Sequence, residues 1–447
     1  MGNIHWLNEI FVMQMEMARG LTPHLTLLFH LFLAWGWFFL PFFLWPIVKD
    51  QWLFWRNGIW DEKSNPQILL EIRPPDEIVK PIRAMDVVID GFWQLYGPPN
   101  WFEQWWIGQY DLSFSLEIAA IDGVPHFLIR IPAKQRSMFE SHIYSQYPDA
   151  EIREVEDYTK NVPQNIPNER WQMWGTDYTM PKSDCYPLKT YRDFETEMEA
   201  TEEKKIDPIA SLIEGLSSME EGEQMWIQIK AKPITADNDG SAYHERAKKE
   251  YEKLAGRKEK GPPPTFFQEM LGVLKGEAKK EEEEKMPIFT DLMLTPGERE
   301  VVESIERKRK KQSFSCHIRY IYLAKKENLN MARIKIPMSY FNLFNTQQLG
   351  FMIPWGKTIT KIKQNWWDFF WFLEKRLYVR KRDMFRNYVR RIPSFYPRSD
   401  KDATFVLGSD ELATLYHFPS RTTVPPSAIP RVESRKKEPP HDLPVEK

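Results

Sequence analysis

The closest approach to a phosphate-binding motif in this chain is Gly350-Phe-Met-Ile-Pro-Trp-Gly356-Lys357-Thr358. A P-loop places four residues between its first glycine and Gly-Lys-[Ser/Thr], so that successive backbone N–H groups wrap the phosphates. Here five bulky residues intervene, and Pro354 removes one donor. No His-Glu-x-x-His, Cys-x-x-Cys or Gly-x-Ser-x-Gly is present, and the nine histidines are scattered. The two cysteines, Cys185 and Cys316, lie far apart and fit free thiols better than a disulfide framework. The sequence therefore predicts no catalytic residue, no cofactor and no metal site, which points to a non-enzymatic protein.

One segment has the composition of a binding surface. Trp366, Trp367 and Trp371 run into Lys375, Arg376, Arg380, Lys381, Arg382, Arg386, Arg390 and Arg391. From Lys357 to Arg391 there are eleven basic and three acidic residues, a local charge of +8, although the whole chain carries only −2. An aromatic face beside a basic face suits an anionic membrane surface. It equally suits nucleic acid, whose phosphates take the cations and whose bases stack on the rings. A core helix with solvated arginines fits the same pattern. The loop containing Trp101, Trp105 and Trp106 reads as a partner or membrane contact, because a connection at that place is expected to be polar.

The elements that must position these residues read as α+β. Leu25–Val48 contains no Asp, Glu, Lys or Arg and is long enough for a transmembrane helix, too long for a signal peptide. Lys49, Arg56 and Lys63 follow it, with only Arg19 before it, which predicts a single-pass inner-membrane protein whose soluble region faces the cytoplasm. Domains are expected at 1–24 (juxtamembrane), 25–48 (transmembrane), 49–66 (linker) and 67–160. Alternation over Gln67–Arg73, Ser113–Ile121, Pro125–Ile131 and Ala150–Val155, with helical spacing over Lys80–Tyr96 and Lys134–Tyr147, gives β-α-β-β-α-β for 67–160. That is the ferredoxin-like, split βαβ plan, with Asp122–Gly123 closing its hairpin.

Residues 161–204 are polar and rich in proline and read as a linker. A second α+β domain over 205–350 has the element order of a diverged repeat. Its helix at Ile206–Met219 precedes a strand at Gln224–Ala231, and Thr295-Pro-Gly-Glu298 opens another helix with a capping box. Phe314–Leu323 is the strand after it. Within this domain a charged insertion spans 241–286, with eleven basic and ten acidic residues. The basic-aromatic segment and closing elements occupy 351–419, and 420–447 is a Pro-rich tail.

Several ordered blocks resemble a known family: ILLEIRPPDEIVKPIRAMD (68–86), SLEIAAIDGVPHFLIRIP (115–132), ESHIYSQYPDAEIREVEDYT (140–159), IDPIASLIEGL (206–216), GEQMWIQI (222–229) and DELATLYHFPS (410–420). They look like the membrane-anchored N-terminal region of bacterial type IV secretion or conjugative-transfer ATPases. In that family a RecA-like motor follows a Pro-rich segment like SRKKEPPHDLP (434–444), and its P-loop has no counterpart in these 447 residues. The resemblance implies a membrane-anchored component that docks or scaffolds a separate motor ATPase, with other secretion subunits, the lipid bilayer and DNA as partners and an oligomeric state. A tethered nucleic-acid-binding module using 366–391 is the competing expectation.

Overall fold

The computed structural model describes residues 26, 41–75, 80–194, 207–235, 240–254, 295–362, 370–394 and 402–419. The chain forms two compact units, Met1–Trp60 with Trp101–Gln109, and Asp61–Asn100 with Tyr110–Lys447.

In the first unit, residues 41–60 are helical, and Glu103–Ile107 forms a π-helical turn ended by Gly108 at φ +85°. A Cβ at Gly108 would stand 2.3 Å from the Arg56 carbonyl oxygen, so only glycine fits that turn. The expected transmembrane helix is not supported. Among the described residues no helix is long and apolar enough to cross a membrane. Of the predicted span, residues 25 and 27–40 lie outside the described residues. Residues 41–48 are helical, and the helix continues past Lys49, Asp50 and Arg56, charges that break the apolar run.

The second unit is α+β and is built on one antiparallel sheet. Its elements in chain order are β1 (Gln67–Arg73), α1 (Arg83–Phe92), β2 (Phe114–Ile121), β3 (Val124–Pro132), α2 (Arg136–Gln146), β4 (Glu151–Val155), β5 (Trp171–Thr179), α3 (Pro208–Ser217), β6 (Glu223–Pro233), α4 (Gly240–Leu254), α5 (Pro296–Arg309), β7 (Ser313–Lys325), α6 (Lys335–Asn342), β8 (Ile353–Pro354), α7 (Phe370–Arg390), β9 (Phe405–Gly408) and α8 (Ser409–Leu415). The strands run β4-β1-β3-β2-β6-β7-β5-β8, with β9 paired to β7. The first four strands have the 4-1-3-2 order of a split βαβ plan. The second four repeat it outward from β6, because β5-α3-β6 and β7-α6-β8 place β7 between β5 and β6 and β8 outside β5. The two halves join by antiparallel pairing of β2 with β6, centred near Ile118↔Ile227.

Two sequence expectations change here. The halves are not separate domains, since their sheets are continuous. Residues 161–204 are not merely a linker, since they supply β5, which lies between β7 and β8. Trp171–Thr179 lacks clean alternation because both faces of the sheet are covered, and such strands lose the polar-out pattern. Of the charged insertion, 241–254 belong to α4, while 255–286 lie outside the described residues. The proline-rich tail, 420–447, lies outside them as well.

One face of the sheet carries the main apolar core. Leu70, Leu116, Ile118, Phe127, Ile129, Ile227, Ile318 and Tyr320 pack there against residues of α1, α2, α3, α6 and α8. The hairpin between β2 and β3 turns on Asp122 (φ 50°) and Gly123 (φ 81°), both left-handed, as a two-residue type I′ turn requires. α5 begins with the expected capping box, in which Thr295 Oγ1 accepts from Glu298 N and Thr295 N donates to Glu298 Oε2. The opposite face is covered by the C-terminal half of α7. Its Met384, Phe385 and Tyr388 recur at helical spacing and pack on Met173, Trp226, Ile321 and Leu323.

Candidate functional site

Beside that apolar packing, polar groups hold the end of α7 on this face. Glu117 of β2, Gln228 of β6, Arg319 of β7 and Asp177 of β5 are successive cross-strand partners, and all four are fully buried. A buried row of this kind needs partners from above, and the chain at the end of α7 supplies several of them. The Arg391 guanidinium grips Glu117 through two hydrogen bonds of 3.1 Å, Nε to Oε1 and Nη2 to Oε2, and also bonds Asp157. Ser115, Tyr158 and Gln228 donate to the same Glu117 carboxylate at 2.7, 2.7 and 2.9 Å. Burial alone would raise the Glu117 pKa, but the Arg391 charge and hydrogen bonds outweigh it and hold the group ionised.

The chain beyond α7 is fastened to the same sheet. Lys230 Nζ donates to the Arg391 carbonyl at 2.8 Å, Arg319 Nη2 to the Ile392 carbonyl at 2.6 Å, and Ser394 Oγ to Asp177. Burial raises the Asp177 pKa, yet Arg319 and His317 bring it down to about 2. Burial, helped by the Arg319 charge, pushes His317 down to about 4, so at neutral pH it is an uncharged filler of the row. This cluster spends its charges on itself, and Glu117, Asp177, Arg319 and Arg391 are buried. It acts as a clamp on the end of α7.

The N-terminal half of α7 leaves the sheet and walls an open groove of about 1140 Å³. It is lined also by residues within 163–172, the loop before β5 and the first residues of that strand, and by Lys326, just past β7. The loop is held in shape by its own polar groups. Asn168 Oδ1 accepts from the backbone N–H groups of Arg170 (2.9 Å) and Trp171 (2.8 Å), and Gln164 Nε2 donates to the Thr159 carbonyl at 2.7 Å. Val162 and Ile166 anchor it in the core beneath α7, and Lys326 N donates to the Arg170 carbonyl at 2.9 Å.

Four cations line the groove, Arg170, Lys326, Lys381 and Arg382, against two carboxylates, Glu169 and Glu374. Among the described residues Lys381 Nζ donates to the neutral Gln172 Oε1, at 3.3 Å, and burial lowers its pKa. Arg382 Nη1 donates to Tyr378 Oη at 3.1 Å, while its buried Nε has no hydrogen-bond partner among the described residues. Trp171 and Tyr378 present half-buried and exposed rings between these cations.

The structure thus divides the basic segment read from the sequence. Lys381 and Arg382 enter the groove. Arg391 is the clamp. Arg380 is turned aside, donating to the Ile359 carbonyl at 3.0 Å. Lys375, Arg376, Arg386 and Arg390 are exposed along α7. Trp371 is in its first turn, and Trp366 and Trp367 lie outside the described residues. Arg170, Trp171 and Lys326 were missed because they are remote in sequence from α7. The Trp171–Trp174 aromatic pair was their one visible signal.

In the first unit, Trp101 and Trp106 are exposed and Trp105 is half-buried. Trp105 stacks on Trp45 with ring centroids 6.2 Å apart, and its carbonyl accepts from Trp52 Nε1 at 2.9 Å. Trp106 meets Trp52 edge-on at 6.0 Å, and Arg56 donates to the Trp106 carbonyl. Phe42, Phe43, Trp45, Trp55 and Phe102 are also exposed in this unit, each by more than half.

The Gly350–Thr358 segment forms no phosphate cradle. Several of its backbone donors are committed elsewhere, Gly350 N to the Pro187 carbonyl, Met352 N to Asn345 Oδ1, and Trp355 N to the Asp177 carbonyl. Lys357 Nζ lies 3.3 Å from the Asp402 carboxylate. Cys185 and Cys316 are both buried free thiols, and among the described residues no group of His, Cys, Asp and Glu is placed to hold a metal ion.

Among known proteins, a family model described as a domain of unknown function, DUF8128, matches residues 113–429. No curated protein matches the chain. The matched stretch runs from β2 through α8 and includes every wall of the groove, and it exceeds half of the chain. The chain belongs to the DUF8128 family.

Proposed function

We propose that this protein is a non-enzymatic component of a type IV secretion-like or conjugative-transfer machinery, where it docks a separate motor ATPase. The observation that carries the reading is the aromatic surface of the first unit. Trp101 and Trp106 are 67% and 52% exposed, and Phe42, Phe43, Trp45 and Trp55 are more than half exposed. Large exposed aromatic patches mark contact surfaces, and tryptophan dominates the binding energy of interfaces. The ordered blocks that resemble conjugative-transfer ATPases supply the nature of the partner.

The test is affinity capture of the tagged full chain from cells that encode it, with quantitative mass spectrometry. A P-loop ATPase is expected in near-stoichiometric amount, and Trp101→Ala/Trp106→Ala is expected to lose it without a change in melting temperature. Failure to recover an ATPase, or its undiminished recovery with the double variant, would overturn the reading.

A further inference from the structure

We infer that the groove between α7 and the loop 163–172 is a binding site for single-stranded nucleic acid. The inference is independent of the docking reading, since it rests on a different surface in the second unit. Its first support is charge. Lys381 and Arg382 face the groove with no carboxylate partner among the described residues. A half-buried cation without a counter-charge is costly, and an entering anion removes that cost. Arg170 and Lys326 extend the positive lining across the groove, onto elements far apart in the chain.

Its second support is shape and ring chemistry. Trp171 and Tyr378 stand among these cations, so a ligand whose phosphates meet the lysines and arginines also finds faces for planar rings. Pro163, Pro167 and Leu377 add apolar contact, while Glu169 and Glu374 are acceptors for exocyclic amino groups. An acidic peptide would use the cations but leave the rings idle and face two carboxylates. A duplex hides its base faces and has no use for Trp171 and Tyr378. Unstacked bases joined by phosphates use every feature of the lining.

Fluorescence anisotropy of the full chain with labelled dT15, U15, a 15-base-pair duplex and a poly-Glu peptide tests this. Binding of single strands in preference to duplex and peptide is expected. The ratio of dT15 to U15 then reports whether DNA or RNA is the natural source. Lys381→Gln/Arg382→Gln should weaken single-strand binding at least tenfold and lower the slope of log K against log salt by about 1.4, from about 0.7 per lost phosphate contact. Arg170→Gln/Lys326→Gln, at exposed positions that cannot disturb folding, should do the same. Tyr378→Ala should weaken binding with the slope unchanged. Arg386→Gln/Arg390→Gln, on α7 outside the groove, should matter less than either groove pair. Absence of single-strand binding at 50 mM salt, equal binding of duplex, stronger binding of poly-Glu, or groove variants that bind like wild type would overturn the inference.

Discussion

Replacing Arg391 by methionine keeps most of the side-chain volume while removing the charge from the clamp. Glu117 is fully buried, and the Arg391 side chain is 2% exposed. Removing one partner of such a pair leaves an unpaired buried charge, at a cost of about 3–5 kcal/mol, or roughly 10²–10⁴ in the folding equilibrium. Tyr158, Ser115 and Gln228 still donate to the carboxylate, so the lower part of that range is expected. Asp157 contributes less to the loss, because its side chain is 23% exposed and water replaces part of what it loses.

The assay is urea unfolding followed by tryptophan fluorescence and far-ultraviolet circular dichroism, with coincidence of the two curves as the condition for quoting a free energy. The pH dependence gives a sharper check. In the wild type the Glu117 pKa is lowered, so its contribution is present above the unfolded carboxyl pKa and is lost as pH falls through the lower folded value. In Arg391→Met the Arg391 charge and hydrogen bonds no longer offset burial, the Tyr158 and Ser115 hydrogen bonds offset only part of it, and the folded pKa rises. Protonation then favours the folded state, and the gap between wild type and variant closes as pH drops from 7 toward about 4.5. Adding Glu117→Gln to Arg391→Met should recover at least half of the loss at pH 7. A double variant whose loss equals the sum of the two single losses, or a gap constant with pH, would refute the account of the clamp as a charge pair.

Three further outcomes follow from the same structure. Lys308→Met breaks the buried 2.9 Å pair with Glu411, each partner 1% exposed, and should cost about 3–5 kcal/mol in urea unfolding, with Glu411→Gln restoring part of it. Gly123→Ala forces a Cβ to within 2.6 Å of the Met219 carbonyl oxygen at φ 81°; the loss should exceed the roughly 1–2 kcal/mol of a left-handed L-residue, and Val124→Ala, an exposed neighbour, should be near neutral. Asp410 has its pKa raised to about 6 by burial and by the neighbouring Glu411 and Asp86, so its stabilising protonation is complete below about 4 and lost as pH rises through 6. Asp410→Asn should therefore gain on wild type between pH 4 and 7, by up to about 2–3 kcal/mol, and parallel pH profiles would contradict this.

Much of the fold was legible in local chemistry. Gln67–Arg73 is a strand from end to end, as its alternation predicts, although it lies inside the sheet between β4 and β3. Asp122–Gly123 and Thr295–Glu298 form the turn and cap that their residue types demand, since both depend only on near neighbours. The order β-α-β-β-α-β over 67–160 and the likeness of the second half were visible as element order. The apolar run 25–48 misled because composition alone does not say where a helix ends, and the described part of that run continues into charged residues.

Tertiary structure decided the rest. Strand β5 carries Trp171 and Asp177 in a stretch that local pattern marks as irregular, and only pairing with β7 reveals it. Glu117, Gln228, Arg319 and Asp177 are each ordinary polar residues of a strand until register aligns them into one buried row. Arg391 is one of eleven basic residues between 357 and 391 until that row selects it as the clamp. The groove joins 163–172, 326 and 374–382, three stretches that share no sequence period. Sequence determined most of the strands and the turns and caps, because those depend on neighbours along the chain. Which charges are neutralised and which stay available is set by neighbours across the sheet, which only the folded register supplies.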